Sequence, residues 1–121
     1  MKPAERAVTV YGIANCDTVK KARAWLAERG IGCVFHDYKK LGVPLAPLER
    51  WMHSVGWEAL LNRKGTTWRQ LDADQQAAVR DAASARELML AQPSVIRRPV
   101  LEHPGGLLVG FDAEQWGRAL G

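Results

Sequence analysis

Residues 8–22 read Val8-Thr9-Val10-Tyr11-Gly12-Ile13-Ala14-Asn15-Cys16-Asp17-Thr18-Val19-Lys20-Lys21-Ala22, a pattern typical of a strand, a short loop and a helix. The apolar, β-branched residues before Gly12 have strand character, and Gly12 is expected to release the backbone from the strand. Asn15, Asp17 and Thr18 carry side chains that accept hydrogen bonds from the free amides of a helix start. The pattern therefore predicts that Cys16 lies at a helix N-terminus.

Cys16 is the main candidate for chemistry. The unpaired amides of a first helical turn and the positive end of the helix dipole stabilise a thiolate over a thiol. Lys20 lies one turn along the same face and either supports the thiolate or is simply solvated, while Asp17 opposes it. The alternative is a half-buried cysteine that acts as a small hydrophobe. Its position after a strand and a glycine-containing loop favours a nucleophile.

The composition predicts one soluble domain over residues 1–121. Of these residues 47% are hydrophobic and 25% are charged, enough to bury roughly two-thirds of the unfolded surface. No run approaches the ~20 apolar residues of a membrane span, and no apolar signal core follows the first residues. We therefore expect a cytoplasmic protein. The net charge of +4 favours anionic partners, but no nucleic-acid-binding motif accompanies it, and the scattered histidines predict no metal site.

The first half of the chain predicts a β-α-β unit. A helix is expected over residues 17–29 and ends at Gly30, and a second strand follows over residues 31–38. A right-handed crossover makes the two strands parallel and places the Cys16 loop at the C-terminal edge of the first strand, where ligands usually bind. Cys33 lies in the middle of the second strand and is predicted to be buried and inert.

The second half predicts a helical insertion over about residues 45–93 and then a β-β-α unit. Capping boxes are expected at Asp72 with Gln75 and at Ser84 with Glu87, and a threonine cap is expected in the basic loop over residues 62–69. Strands over 98–102 and 107–111 flank a hairpin turn, and Asp112 caps a closing helix. The five tryptophans are expected to be core or packing residues rather than a stacking platform. The whole order predicts an α/β, thioredoxin-like fold with a mixed four-stranded sheet.

Three segments resemble one known family, in the order and spacing typical of it. They are Tyr11-Gly12-Ile13-Ala14-Asn15-Cys16-Asp17-Thr18-Val19-Lys20-Lys21-Ala22, Leu61-Asn62-Arg63-Lys64-Gly65-Thr66-Thr67-Trp68-Arg69 and Ile96-Arg97-Arg98-Pro99-Val100. Together they resemble the arsenate reductase-like (ArsC/Spx) family over nearly the whole chain. Within this family the chain is most similar to the YffB branch.

The resemblance implies a role for several residues. The family's nucleophilic cysteine matches Cys16, and two of its anion-binding arginines match Arg63 and Arg98. Pro99 matches a proline that is usually cis and faces the active cysteine. Asn15 either binds an oxyanion or caps the helix, and capping is the expected role.

Two residues differ from the family pattern and narrow the expected function. Phe111 aligns with a third anion-binding arginine of arsenate reductases, and Val19 replaces the second cysteine of the Cys-x-x-Cys switch common in the Spx branch. The sequence therefore predicts a glutathione-dependent thiol reductase or transferase with Cys16 as a monothiol nucleophile. Glutathione is the expected co-substrate, with no bound cofactor, and glutaredoxin or a protein disulfide are further expected partners. A non-catalytic protein-binding regulator of the Spx type and a true arsenate reductase remain the alternatives.

Overall fold

The structure is a computed structural model that describes residues 8–120. The chain divides into two compact units, of which the second comprises Leu41–Arg97. The first unit contains the described residues up to Lys40 and those from Arg98 onward. The helices of the predicted insertion lie in the second unit. That the chain is one domain stays a prediction.

The predicted order of a β-α-β unit, a group of helices and a β-β-α unit is confirmed, but Tyr38 begins a short helix and does not end the second strand as predicted. The strands are β1 (Val8–Gly12), β2 (Cys33–Asp37), β3 (Val100–His103) and β4 (Gly106–Val109). The helices are α1 (Asp17–Glu28), α2 (Tyr38–Leu41), α3 (Leu45–Val55), α4 (Trp57–Leu60), α5 (Thr66–Gln70), α6 (Ala73–Ala77), α7 (Ala82–Ala91) and α8 (Ala113–Leu120), with a 3₁₀ turn at Pro93–Val95.

The first unit contains a four-stranded sheet in the order β2-β1-β3-β4. β1 and β2 are parallel, whereas β3 is antiparallel to both β1 and β4. The predicted mixed sheet is confirmed. β1 and β2 are parallel because a helix connects them, and β3 and β4 are antiparallel because a tight turn connects them. Val8, Val10, Leu101 and Leu108 project from one face of this sheet and form a core with Trp116 and with residues of α1. Helices α1 and α8 therefore cover that face.

In the second unit, α3, α4 and α7 pack against one another. Leu48 and Trp51 of α3, Leu60 of α4 and Met89 of α7 are each at most 1% exposed. Gly56, with φ of 85°, separates α3 from α4, as a glycine at a helix end commonly does.

Two predicted helix starts are wrong. The capping box of Asp72 and Gln75 is confirmed, but α7 begins three residues before its predicted start, with Asp81 as N-cap and Ser84 as its partner. Helix α5 has Gly65 at its N-cap, so neither threonine of the predicted loop is the cap and both Thr66 and Thr67 are inside the helix. Two overlapping capping patterns explain the first error. The Asp81 side chain accepts from the Ser84 amide and the Ser84 side chain accepts from the Asp81 amide, so Ser84 is the partner of the cap and not the cap itself.

Candidate functional site

Cys16 occupies the N-cap position of α1. Its backbone is extended, with φ of −127° and ψ of 122°, and its carbonyl accepts a hydrogen bond from the Lys20 amide at 2.9 Å. The residue is a half-exposed free thiol. Its predicted position at a helix N-terminus is therefore confirmed, and its role as a nucleophile stays a prediction.

No side chain among the described residues caps the first turn of α1. The expectation that Asn15 caps this helix is wrong, because the N-cap position belongs to Cys16 and a capping side chain reaches the amides two and three residues further on. Asn15 lies one residue too early and is exposed, and Thr18 is already helical. The free amides next to Cys16 can thus stabilise an anion or the thiolate itself.

Arg98 and Pro99 lie at the end of the sheet where the Cys16 loop begins. Because β3 is antiparallel to β1 and Val100 pairs with Tyr11, the start of β3 lies beside the end of β1. The Arg98–Pro99 peptide bond is cis, as the family resemblance implies. That Pro99 faces Cys16 remains a prediction.

A polar cluster in the first unit comprises Tyr11, His36, Tyr38 and Glu102. The Tyr11 hydroxyl donates a hydrogen bond to Glu102 Oε1 at 2.6 Å, and the Tyr11 and His36 rings lie 5.2 Å apart. Tyr38 is 2% exposed, and its hydroxyl has no hydrogen-bond partner among residues 8–120. Burial raises the pKa of Tyr38 and the neighbouring Tyr11 raises it further. The charge of Arg98 lowers the same pKa while Glu102 raises it, so both charged groups lie near this tyrosine.

The sequence reasoning missed this cluster. The alternation of side chains along a strand shows only on which face Tyr11 and Glu102 lie. Their proximity depends on the pairing of Thr9 with Glu102, which no local pattern reveals.

Arg63 lies in the second unit, in the loop between α4 and α5, and is exposed. Its guanidinium carbon lies 5.7 Å from the ring centroid of Trp57 and 5.7 Å from that of Trp68. The predicted packing role of these two tryptophans therefore includes contact with a cation.

Lys20, in the first unit, is exposed on the first turn of α1, and the choice between support of Cys16 and solvation stays open.

Cys33 differs from its predicted environment. It is exposed rather than buried, because it is the first residue of β2 and β2 is an edge strand. Its side chain lines a shallow depression together with Arg23, Ala27 and Ile31. Desolvation within this depression raises the pKa of the Cys33 thiol, and the nearby charge of Arg23 partly offsets the increase.

Phe111 packs into the first unit rather than toward solvent. Its ring lies 4.9 Å from Trp116 and 6.2 Å from Trp25, in edge-to-face geometry. The preceding Gly110 donates its amide to the Pro99 carbonyl at 2.8 Å. The position after the hairpin therefore contributes an aromatic ring to packing, and no guanidinium.

Residues 8–120 contain neither a membrane-spanning helix nor a cluster of metal ligands. No helix in this range is both long and apolar enough to span a bilayer. Within the same range, no three histidine, cysteine, aspartate or glutamate side chains form a group that is able to hold a metal ion.

The sheet order, the helix that starts at a cysteine and the cis-proline before β3 define a thioredoxin-like α/β protein. The ArsC family model matches residues 11–119, and the chain belongs to the ArsC family.

Known relatives support this assignment. A solved structure of a YFFB protein is 52% identical, with a TM-score of 0.88, and the match covers 94% of this chain and 99% of that one. An arsenate reductase (ArsC) related protein from Brucella melitensis is 58% identical, with a TM-score of 0.73 and coverage of 93% and 92%. The global transcriptional regulator Spx of Listeria innocua is 27% identical over 120 residues, 93% of this chain and 86% of the regulator. The resemblance to the ArsC/Spx family and its YffB branch is confirmed.

Proposed function

We propose that this protein is a glutathione-dependent thiol reductase or transferase in which Cys16 is the nucleophile. The observation that carries the proposal is the half-exposed Cys16 thiol at a helix N-terminus whose first turn lacks a side-chain cap among the described residues. Such amides favour a thiolate, which is the form of cysteine that attacks sulfur. Membership of the ArsC family, whose nucleophilic cysteine matches Cys16, supports the same assignment.

The reaction balances with glutathione as the only reductant. The Cys16 thiolate attacks the glutathione sulfur of a mixed disulfide between glutathione and a second thiol. A bond forms between Cys16 Sγ and this sulfur, and the bond between the two sulfurs of the mixed disulfide breaks. The second thiol leaves as its thiolate and takes a proton from solvent. A glutathione thiolate then attacks the glutathionyl sulfur bound to Cys16, which releases oxidised glutathione and restores the Cys16 thiolate.

Positive groups are proposed to bind the anionic parts of glutathione. Arg98 lies at the sheet end where the Cys16 loop begins, and the register of β1 with β3 supports its participation. The family resemblance supports the same role for Arg63. Lys20 and Asn15 are exposed near Cys16 and are proposed as secondary anion contacts.

The environment of Phe111 supports glutathione over arsenate as the substrate. An arsenate trianion that lacks one arginine loses a charge-assisted contact worth roughly 1.5–3 kcal/mol. The Phe111 ring is packed against Trp116 and Trp25, so this position offers the anion no donor.

The proposal is tested by steady-state reduction of the mixed disulfide of glutathione and 2-mercaptoethanol, with reduced glutathione in excess. Cys16→Ser is expected to reduce the rate to the uncatalysed background, because no other step of the cycle supplies the nucleophile. Cys33→Ser is the matched control and is expected to keep the wild-type rate. Full activity of Cys16→Ser would refute the mechanism.

A protein-binding regulator is the second candidate, and the similarity to Spx of Listeria innocua favours it. Val19, fully buried in α1, stands where the Spx branch often has a second cysteine, so a local disulfide switch is not part of this candidate. A partner complex that survives Cys16→Ala, together with an absence of thiol turnover, would favour regulation over catalysis.

A further inference from the structure

The loop that carries Arg63 is held at both ends within the second unit. The Asn62 amide donates to the Val95 carbonyl at 2.8 Å, and Asn62 Oδ1 accepts from the Lys64 amide at 3.1 Å. Nη2 of Arg69 donates to the Lys64 carbonyl at 2.7 Å. The backbone of Arg63 therefore has a defined position.

Neighbouring arginines use their guanidinium groups for structure, whereas Arg63 does not. Arg69 closes the loop, and Arg97 donates from Nε to the Ala59 carbonyl at 3.2 Å. Within residues 8–120, the Arg63 guanidinium makes no hydrogen bond or ion pair; its contacts are with the rings of Trp57 and Trp68. An arginine held by ring faces retains all five N–H donors for a ligand.

We propose that Trp57 and Trp68 are positioning residues that hold the Arg63 guanidinium for the glycine carboxylate of glutathione. This inference rests on the proposed function for the choice of ligand. The glycine carboxylate is the better match of the two carboxylates, because the γ-glutamyl carboxylate lies beside an ammonium group. Residues 61–69, which flank Arg63 in the sequence, include the cations Lys64 and Arg69 and no acidic side chain to pair with that ammonium.

The physical effect of the two indoles is to restrict a flexible cation before the ligand arrives. A free arginine side chain loses much rotamer freedom when it forms a bidentate pair, and contact with aromatic faces removes part of that loss in advance. A cation–π contact at an exposed site corresponds to about a two- to fivefold change in affinity. The effect acts on the carboxylate contact and leaves the thiol chemistry of Cys16 unchanged.

The test compares the binding of S-methylglutathione, which has no reactive thiol, with the binding of its glycine ethyl ester by titration calorimetry. Wild-type protein is expected to prefer the free acid several-fold, and Arg63→Ala is expected to lose that preference. Trp57→Leu and Trp68→Leu are each expected to weaken binding of the free acid about two- to fivefold, with little effect on the ester. Trp57→Phe and Trp68→Phe keep an aromatic face and are expected to restore most of the preference.

Trp25→Leu is the matched control, because Trp25 is also half-buried and has an arginine, Arg29, 4.2 Å from its ring centroid. It is expected to leave the preference for the free acid unchanged. Equal weakening of acid and ester by the Trp57 and Trp68 variants, or no preference in the wild type, would overturn the proposal. Loss of turnover in Cys16→Ser is measured separately, so the failure of this inference is distinguishable from the failure of the proposed function.

Discussion

At the scale of single residues, the two cysteines have different electrostatic surroundings. Cys16 lies beside the free amides of a helix start, whereas Cys33 lies in a depression on an edge strand where desolvation raises its pKa. Only the thiolate reacts readily with electrophiles. The two thiols of this protein are therefore expected to react at different rates at neutral pH, although both are accessible.

The reactivity of Cys33 has a defined dependence on pH and on Arg23. Because its pKa is raised, the thiolate fraction of Cys33 at neutral pH lies below that of an ordinary cysteine and increases toward alkaline pH. Arg23 lowers this pKa, so Arg23→Ala is expected to raise it further and to slow alkylation by iodoacetamide at pH 8. The rates are measured in a Cys16→Ser background. Faster alkylation after Arg23→Ala would contradict this account.

At the scale of elements, the contact between β1 and α1 determines where Cys16 lies. A Cβ atom on Gly12 would lie 2.9 Å from Cγ2 of Val19, a β-branched side chain that is fully buried. Glycine at the end of β1 thus permits a close approach of α1 to the sheet. The sequence predicted Gly12 as a release from the strand, because a pattern of residue types does not show which helix residue packs above a glycine.

Gly12→Ala tests this contact. The added methyl group is expected to displace Val19 and to destabilise the protein by about 1–3 kcal/mol, as overpacking of a core usually does. It is also expected to slow the reaction of Cys16 with disulfides, because the helix start moves with α1. Urea unfolding and thiol kinetics measure the two effects. As a control, Gly12→Ala combined with Val19→Ala is expected to recover part of the reaction rate.

The start of α7 gives a second element-scale prediction, with a pH dependence. Hydrogen bonds from the Ser84 amide and then the Ser84 hydroxyl lower the pKa of Asp81, so its contribution to stability is present above the ordinary carboxyl pKa. That contribution is lost as pH falls through the lowered pKa of the folded state. Wild type is expected to exceed Asp81→Ala in urea midpoint at pH 7, with a difference that narrows in acid.

Glu87→Ala is the matched control for the α7 prediction. The sequence pattern had placed Glu87 in a capping box, whereas in the structure it lies inside the helix. The variant is therefore expected to leave the urea midpoint near its wild-type value. A larger loss in Glu87→Ala than in Asp81→Ala would mean that α7 begins later than described.

At the scale of the whole molecule, sequence patterns predicted the order of the elements and the position of Cys16, because strand and helix periodicities are local properties. They did not predict the exposure of Cys33, which depends on β2 being an edge strand. The cluster of Tyr11, Tyr38 and Glu102 depends in the same way on strand register. Contacts between segments distant in sequence are therefore the part of the site that local sequence patterns did not predict.

In the proposed reaction, Cys16 forms a mixed disulfide with glutathione and a second glutathione releases it. The most direct test is to incubate the protein with oxidised glutathione, map the adduct by peptide mass spectrometry, and then add reduced glutathione. One glutathionyl group is expected on Cys16 in the wild type and in Cys33→Ser, and reduced glutathione is expected to remove it. No adduct is expected on Cys16→Ser in the same time. An adduct found on Cys33 alone, or an adduct on Cys16 that reduced glutathione does not release, would contradict it.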